Sequence, residues 1–163
     1  LAALDEFRAG GRIGDDDRTG LAVDAHDVPP ENDHAAFERY VEMLRERAVE
    51  NGRRPTGWVP DTLLWYVEAD EWLGRLDIRH RLTPVLLEQG GHIGYDIRPS
   101  ARRRGHATAM LRASLPIAAK IGINPALITC VVDNVASRKV IEANGGVLED
   151  ERNGVLRFWV STV

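Results

Sequence analysis

GHIGYDIRPSARRRGHA, residues Gly91–Ala107, is the stretch whose reading decides the fold. It opens as a short strand ending at Ile97, breaks at Pro99, and runs through turn-forming and basic residues to Gly105. Beyond Ala107, the residues Met110, Leu111, Leu115 and Ala118 recur at the spacing of one helix face. A strand that feeds a glycine-containing turn opening a helix leaves several unpaired backbone N–H groups at the helix start. With the helix dipole behind them, these groups form an anion site suited to phosphate. Arg102, Arg103, Arg104 and His106 add positive charge beside it, so the segment predicts a phosphorylated ligand. A P-loop would need Gly-Lys-Ser/Thr, which the chain lacks, and a dinucleotide fingerprint needs three glycines where this turn has Gly105 alone.

Upstream, residues Leu1–Phe7 suit a short helix, and Gly10–Pro30 is a Gly-, Asp- and Pro-rich loop expected to be mobile. Within it Asp15–Asp17 reads as a solvated acidic run rather than a metal-ligand set, because adjacent carboxylates repel. Asp33 is the expected N-cap of a helix bearing Phe37, Tyr40, Val41, Leu44 and Ala48 on one face, stopped by Asn51-Gly52. Thr62–Glu68 is β-rich. After Ala69-Asp70, Trp72, Gly74, Leu76 and Ile78 alternate with Leu73, Arg75, Asp77 and Arg79, which predicts a half-buried strand in a hairpin with its predecessor. Thr83–Gln89 suits a short helical turn before Gly90-Gly91 releases the chain into the key strand.

Downstream, the key helix runs from about Gly105 to Ile121, stops at Gly122, and holds Pro116, expected to kink it. Ala126–Val132 is an apolar run suited to the centre of a sheet. Asn134 opens a helix that ends at Asn144-Gly145-Gly146. Val147–Glu151 and Val155–Val160 flank Asn153-Gly154, the favoured two-residue hairpin turn.

The 163 residues suffice for one domain with a substantial core. Hydrophobic content of 44% and charged content of 28% are ordinary for a globular protein, and a formal charge of −4 argues against nucleic acid as the main partner. Cys130 stands alone, so no internal disulfide forms, and a cytoplasmic setting is expected. No apolar run reaches membrane-span length and no signal-peptide pattern opens the chain, so no membrane partner is expected. The first residue is Leu1 rather than Met, which leaves the native N-terminus in question. The C-terminal hairpin offers an edge for a possible homodimer.

Arg102-Arg103-Arg104-Gly105-His106-Ala107 fits the pattern Arg/Gln-x-x-Gly-x-Gly/Ala. Together with Tyr95-Asp96-Ile97-Arg98-Pro99 before it, Asn134 and Ser137 after it, and Ile141-Glu142-Ala143-Asn144-Gly145-Gly146, the chain resembles the GNAT superfamily of acyl-CoA-dependent N-acyltransferases. The likeness covers Thr62–Val160, and the variant with GGHIGY and Asn-x-x-Ser-x-x-x-Ile-Glu-x-Asn-Gly-Gly resembles acetyltransferases of no stated substrate class. It implies an α+β fold of three layers, α/β/α, whose mixed, mostly antiparallel sheet splays into a V with the cofactor in the cleft. A single domain 1–163 is expected, with a helical region over 1–60 and a cofactor-binding core over 62–160.

The resemblance implies acetyl-CoA as co-substrate. Its pyrophosphate would be held by the turn Arg102, Arg103, Arg104, Gly105, His106, Ala107 and Thr108, its pantetheine arm by the main chain of Ile97 and by Asn134, with Ser137 nearby, and its adenosine 3′-phosphate would meet Arg138 and Lys139 or leave them as solvated surface. The implied reaction is direct attack by a primary amine of a small molecule or peptide in a ternary complex. The alternative is a non-catalytic acyl-CoA-binding regulatory module. Many family members place a proton-donating Tyr where this chain has Ile141, which cannot donate. Tyr95, Ser137 and Cys130 are the candidate replacements, Cys130 ranking last as a buried thiol. The base is open among His92, Asp96, His80 and water, with His92 the first choice because histidine titrates near neutrality. Simple alternation, however, sets His92 and Asp96 on the face opposite Tyr95 and Ile97.

Overall fold

The hairpin signals pair as the sequence suggests. The computed structural model describes residues 2–10, 29 and 33–163. Strands β1 (Asp61–Glu68) and β2 (Glu71–Arg79) run antiparallel across the Ala69-Asp70 turn, with Glu68 opposite Glu71. Strand β3 (Ile93–Ile97) pairs antiparallel with β2. Strands β4 (Ala126–Val131), β5 (Val147–Arg152) and β6 (Val155–Val160) form a second antiparallel sheet in the order β4-β6-β5. Among the described residues the two sheets are hydrogen-bonded where β3 and β4 begin, and no ladder joins those strands further along. That is the expected V.

Among the described residues the sheets are framed by helices α1 (Ala2–Ala9), α2 (His34–Arg47), α3 (Pro84–Glu88), α4 (His106–Ile121) and α5 (Val135–Glu142). Asp33 caps α2 by accepting from the Ala36 N–H at 2.8 Å, a cap worth about 1 kcal/mol. Thr83 does the same for α3 through the Leu86 N–H. Gly122, with φ of 94°, closes α4, and Pro116 lies inside that helix.

The core lies between α4 and the sheets. Leu111 of α4, Leu76 and Ile78 of β2, Ile128 of β4, Phe158 of β6 and Ile141 of α5 are all essentially inaccessible, each aliphatic contributing about 1.5–3 kcal/mol on burial. Leu64 and Tyr66 of β1 join this core, whereas the intervening Trp65 turns to the other face. There Trp65 stacks on Tyr40 of α2 at 6.3 Å. Helices therefore cover both faces of the first sheet, giving the α/β/α layering.

Two expectations change. Strand β2 is buried on both faces, not one: Arg75 and Asp77 are as inaccessible as their apolar neighbours. Alternation reported the chemistry of each face, while coverage of both faces set the exposure. Phe37, placed on the buried stripe of α2, is 43% exposed, its ring leaning on Trp65 at the rim. Apart from Gly10 and Pro29, the loop expected over 10–30, with Asp15–Asp17, lies outside the described residues. Among the described residues no helix is long and apolar enough to cross a membrane.

Candidate functional site: a splayed strand and an uncapped helix

The V opens at a hinge built from Gly91, His92 and Leu127. The His92 N–H donates to the Leu127 carbonyl at 2.7 Å, and the Leu127 N–H donates to His92 Nδ1 at 2.9 Å. An imidazole nitrogen thus stands where a ladder carbonyl would be, and the two strands part beyond it. Gly91 permits the approach: a Cβ there would lie 2.4 Å from the Leu127 carbonyl oxygen, and its φ is +63°. Because Nδ1 accepts, the ring must be neutral. Burial first, and then the Arg79 guanidinium, push its pKa down to about 4. His92 is therefore engaged at the hinge, on the face away from Tyr95.

Past the hinge, strand geometry aims the free backbone into the cleft. The Arg98 N–H donates to the Leu73 carbonyl on β2, so by alternation the main-chain groups of Ile97 and Tyr95 point away from β2. The Ile97 carbonyl is held by Arg102 Nε at 3.0 Å. The Tyr95 hydroxyl crosses the V to Ser137 Oγ, 2.8 Å away at the first turn of α5. Ser137 also hydrogen-bonds the buried Cys130 thiol, whose pKa is raised by burial. Burial likewise raises the Tyr95 phenol well above its ordinary value, so it stays protonated as a donor. Two of the proposed catalytic groups, Tyr95 and Ser137, thus come together with Cys130; the third, His92, stands apart.

At the far end of β3 the chain enters the turn. Arg103 has φ of +62° and Gly105 +85°, and Gly105 offers α4 no side-chain cap. The first N–H groups of α4, at His106, Ala107 and Thr108, have no acceptor within the helix. Arg102, Arg103 and Arg104 are exposed around them. Asn144 ties the end of α5 to this turn, its Nδ2 donating to the carbonyls of Val140 at 2.8 Å and Thr108 at 3.3 Å. The His106 ring packs on Tyr66 at 5.9 Å, and its buried Nε2 lacks a hydrogen-bond partner.

A splayed strand leading to an uncapped helix is matched at the level of whole sequence: the profile of the Acetyltransferase (GNAT) domain aligns with residues 15–147. The chain belongs to the GNAT acetyltransferase family. No curated protein matches it. Among solved structures, it is similar to the GNAT domain of PAT from S. lividans, with 16% identity over 76% of this chain and 84% of that one and a TM-score of 0.53. It is also similar to the N-acetyltransferase PseH of Campylobacter jejuni in complex with acetyl coenzyme A, at 12% identity over 81% and 84% and a TM-score of 0.53. A spermidine N-acetyltransferase chimera of Vibrio cholerae SpeG and hSSAT aligns at 14% identity over 89% and 93%, TM-score 0.54. At such identities these three show the shared GNAT fold.

In this GNAT chain the remaining sequence candidates fall in distinct places. Asn134 is exposed and caps α5, its Oδ1 accepting from the Ser137 N–H at 3.0 Å. Lys139 is exposed, while Arg138 pairs with Glu142. Ile141, where the family usually has Tyr, is fully buried, and its carbonyl accepts from the N–H groups of Asn144 and Gly146. His80 donates to or accepts from Thr62 Oγ1 at 2.8 Å at the end of β2, and desolvation lowers its pKa.

Sequence reading missed a charged face. On the side of the sheet opposite Leu76 and Ile78, Arg75 stands across from Asp96, and Asp77 across from Gly94 of β3. Arg79 Nε lies 3.3 Å from Asp77, and its guanidinium also reaches the Gly90 carbonyl at 3.1 Å. Asp61 is paired with Arg47. Burial pushes the Asp77 carboxyl up to about 7; Arg79 opposes the shift and the neighbouring Asp61 adds to it. The signal is present as Arg75, Asp77 and Arg79 at a period of two, which predicts a half-buried strand, whereas the structure covers this face as well. Glu6, discussed below, left no such signal.

Proposed function

We propose that this chain transfers the acetyl group of acetyl-CoA to a primary amine of a small molecule or peptide, by direct attack within a ternary complex. The observation that carries this reading is the uncapped start of α4 at the exit of the splayed strand. The backbone N–H groups of residues 105–108, with Arg102–Arg104 around them, suit the coenzyme A pyrophosphate. Main-chain groups of Tyr95 and Ile97 that face the cleft can receive the pantetheine amides and the thioester oxygen. Asn134 caps α5 one turn from Ser137, and in this reading its exposed amide is available to the pantetheine arm.

The chemistry then needs a route for the thiolate and one for the amine proton. A thiol with a pKa near 8.5 leaves as thiolate without full protonation. The Tyr95–Ser137 hydroxyl pair, held protonated in the cleft, serves as the hydrogen-bond donor that stabilises it, taking the place of the tyrosine that Ile141 replaces. The amine proton passes to water. In this reading His92 positions β3 against β4 and is not the base.

The test is thiol release from acetyl-CoA across a panel of primary amines, with thermal stabilisation by coenzyme A as the control. Turnover on at least one amine is expected. Stabilisation without turnover on any of them would favour a regulatory acyl-CoA-binding module, the reading that Ile141 supports. Absence of stabilisation would remove both.

A further inference from the structure

Helix α1 touches the cofactor turn through one side chain. The Glu6 carboxylate receives the Ser100 N–H at 2.9 Å, the Ser100 hydroxyl at 3.0 Å and Arg98 Nε at 3.1 Å, and it also pairs with the Arg98 terminal nitrogen. The neighbouring residue, Phe7, is wholly buried and meets the Trp72 ring edge-on at 6.1 Å. Phe7 seats the helix and Glu6 grips what lies beside it.

What it grips is the segment between β3 and the turn. Residues Pro99–Ala101 form a single 3₁₀ turn whose preceding residue, Arg98, supplies no side-chain cap. Pro99 has no N–H, so the Ser100 N–H is the first donor of that turn needing a partner. Glu6 caps it from a distant part of the chain. The Arg98 guanidinium is drawn off to the same carboxylate and to the Trp72 carbonyl, and Arg102 Nε returns to the Ile97 carbonyl. Every link from Ile97 to Arg102 is thereby fixed, and the left-handed residues Arg103 and Gly105 follow directly.

We infer that Glu6 is a positioning residue for coenzyme A, holding the strand exit so that the N–H groups of residues 105–108 converge on the pyrophosphate. Three strong donors keep its carboxyl ionised, with Arg98 first and the Ser100 N–H next, at a pKa of about 2. The clamp therefore holds at any pH at which the protein works. The inference rests on the acetyltransferase reading of the turn.

Charge makes the test decisive. A carboxylate packed against the segment that leads into an anion site opposes the anion, so neutralising Glu6 by charge alone would tighten coenzyme A binding. Loss of the clamp loosens it. Calorimetric dissociation constants for coenzyme A should be about tenfold weaker or more in Glu6→Gln. Ser100→Ala, which removes only the hydroxyl contact, should weaken binding less. With any amine that turns over, KM for acetyl-CoA should rise while kcat stays within about twofold. Binding by Glu6→Gln as tight as wild type, or tighter, overturns the inference, as does a lowered melting temperature with unchanged affinity. Gly105→Asp serves as the separate control. If that variant binds coenzyme A like wild type, the turn itself has been misassigned, and the acetyltransferase reading falls together with this one.

Discussion

Replacing Gly105 by Asp tests the site at its centre. Gly105 sits at φ of +85°, where an L side chain costs about 1–2 kcal/mol, and no atom lies within 4 Å of a Cβ built there. Backbone strain is thus the only penalty within the protein, since there is room for the side chain. An aspartate at the position before α4 can accept from the helix's own first N–H groups, returning about 1 kcal/mol. The two effects nearly cancel, so the melting temperature should shift by a few degrees at most.

Ligand binding has no such compensation. In the proposed reading the new carboxylate occupies the donors that would receive the pyrophosphate, and each charge-assisted hydrogen bond lost costs about 1.5–3 kcal/mol. Like-charge repulsion adds about 1 kcal/mol or more at 4 Å, depending on how far water screens it. Even the low ends of these figures predict about a 60-fold loss of coenzyme A affinity. Gly105→Ala carries the same strain without the carboxylate and should lose no more than about tenfold. Isothermal titration of coenzyme A into both variants, with melting curves alongside, measures each quantity. Aspartate and alanine variants of equal affinity would refute the reasoning, because the carboxylate would then have nothing to compete with.

Three further outcomes follow from the cleft and its two faces. Tyr95→Phe and Ser137→Ala should each lower kcat, by about tenfold to 100-fold, with KM for acetyl-CoA unchanged, and the double variant should do little worse than the stronger single one; additive losses would separate the two hydroxyls. The His92 pKa is depressed to about 4, so its contribution to stability is present above about pH 6.5 and is lost as pH falls towards 4, by up to about 3 kcal/mol; chemical denaturation at several pH values should show this in wild type but not in His92→Asn, whose amide oxygen can still accept from Leu127. Asp77 has the opposite sign: its carboxyl is raised to about 7, so its contribution is present below about pH 4 and lost as pH rises through 7, and Asp77→Asn should be the more stable protein at pH 8 relative to wild type than at pH 4.

The secondary elements and the turn ahead of α4 were legible because their signals are local. Asp33, Thr83 and Asn134 announce helices through capping chemistry that acts over three residues. Asn153-Gly154 and Ala69-Asp70 announce hairpins in the same way. What stayed hidden depends on partners far along the chain. His92 looked like a base because histidine titrates near neutrality, but Leu127, 35 residues on, uses its nitrogen as an acceptor and keeps it neutral. Glu6 lies on the short helix α1, and its partner Ser100 is 94 residues away. Period-two alternation in β2 separated two chemistries correctly but could not say that both faces are covered.

The sequence by itself determined the strand–turn–helix unit from Gly91 to Ile121 and the glycine at the head of the helix. Backbone conformation and capping depend on near neighbours, so those features needed no fold to be read. The tertiary structure alone decided that β3 and β4 touch at one end and then part, and that Tyr95 reaches Ser137 across the gap. It alone set charged side chains under the first sheet and brought a carboxylate from α1 to hold the strand exit. Each of these requires segments distant in sequence to meet at hydrogen-bonding range, and no local pattern encodes such a meeting.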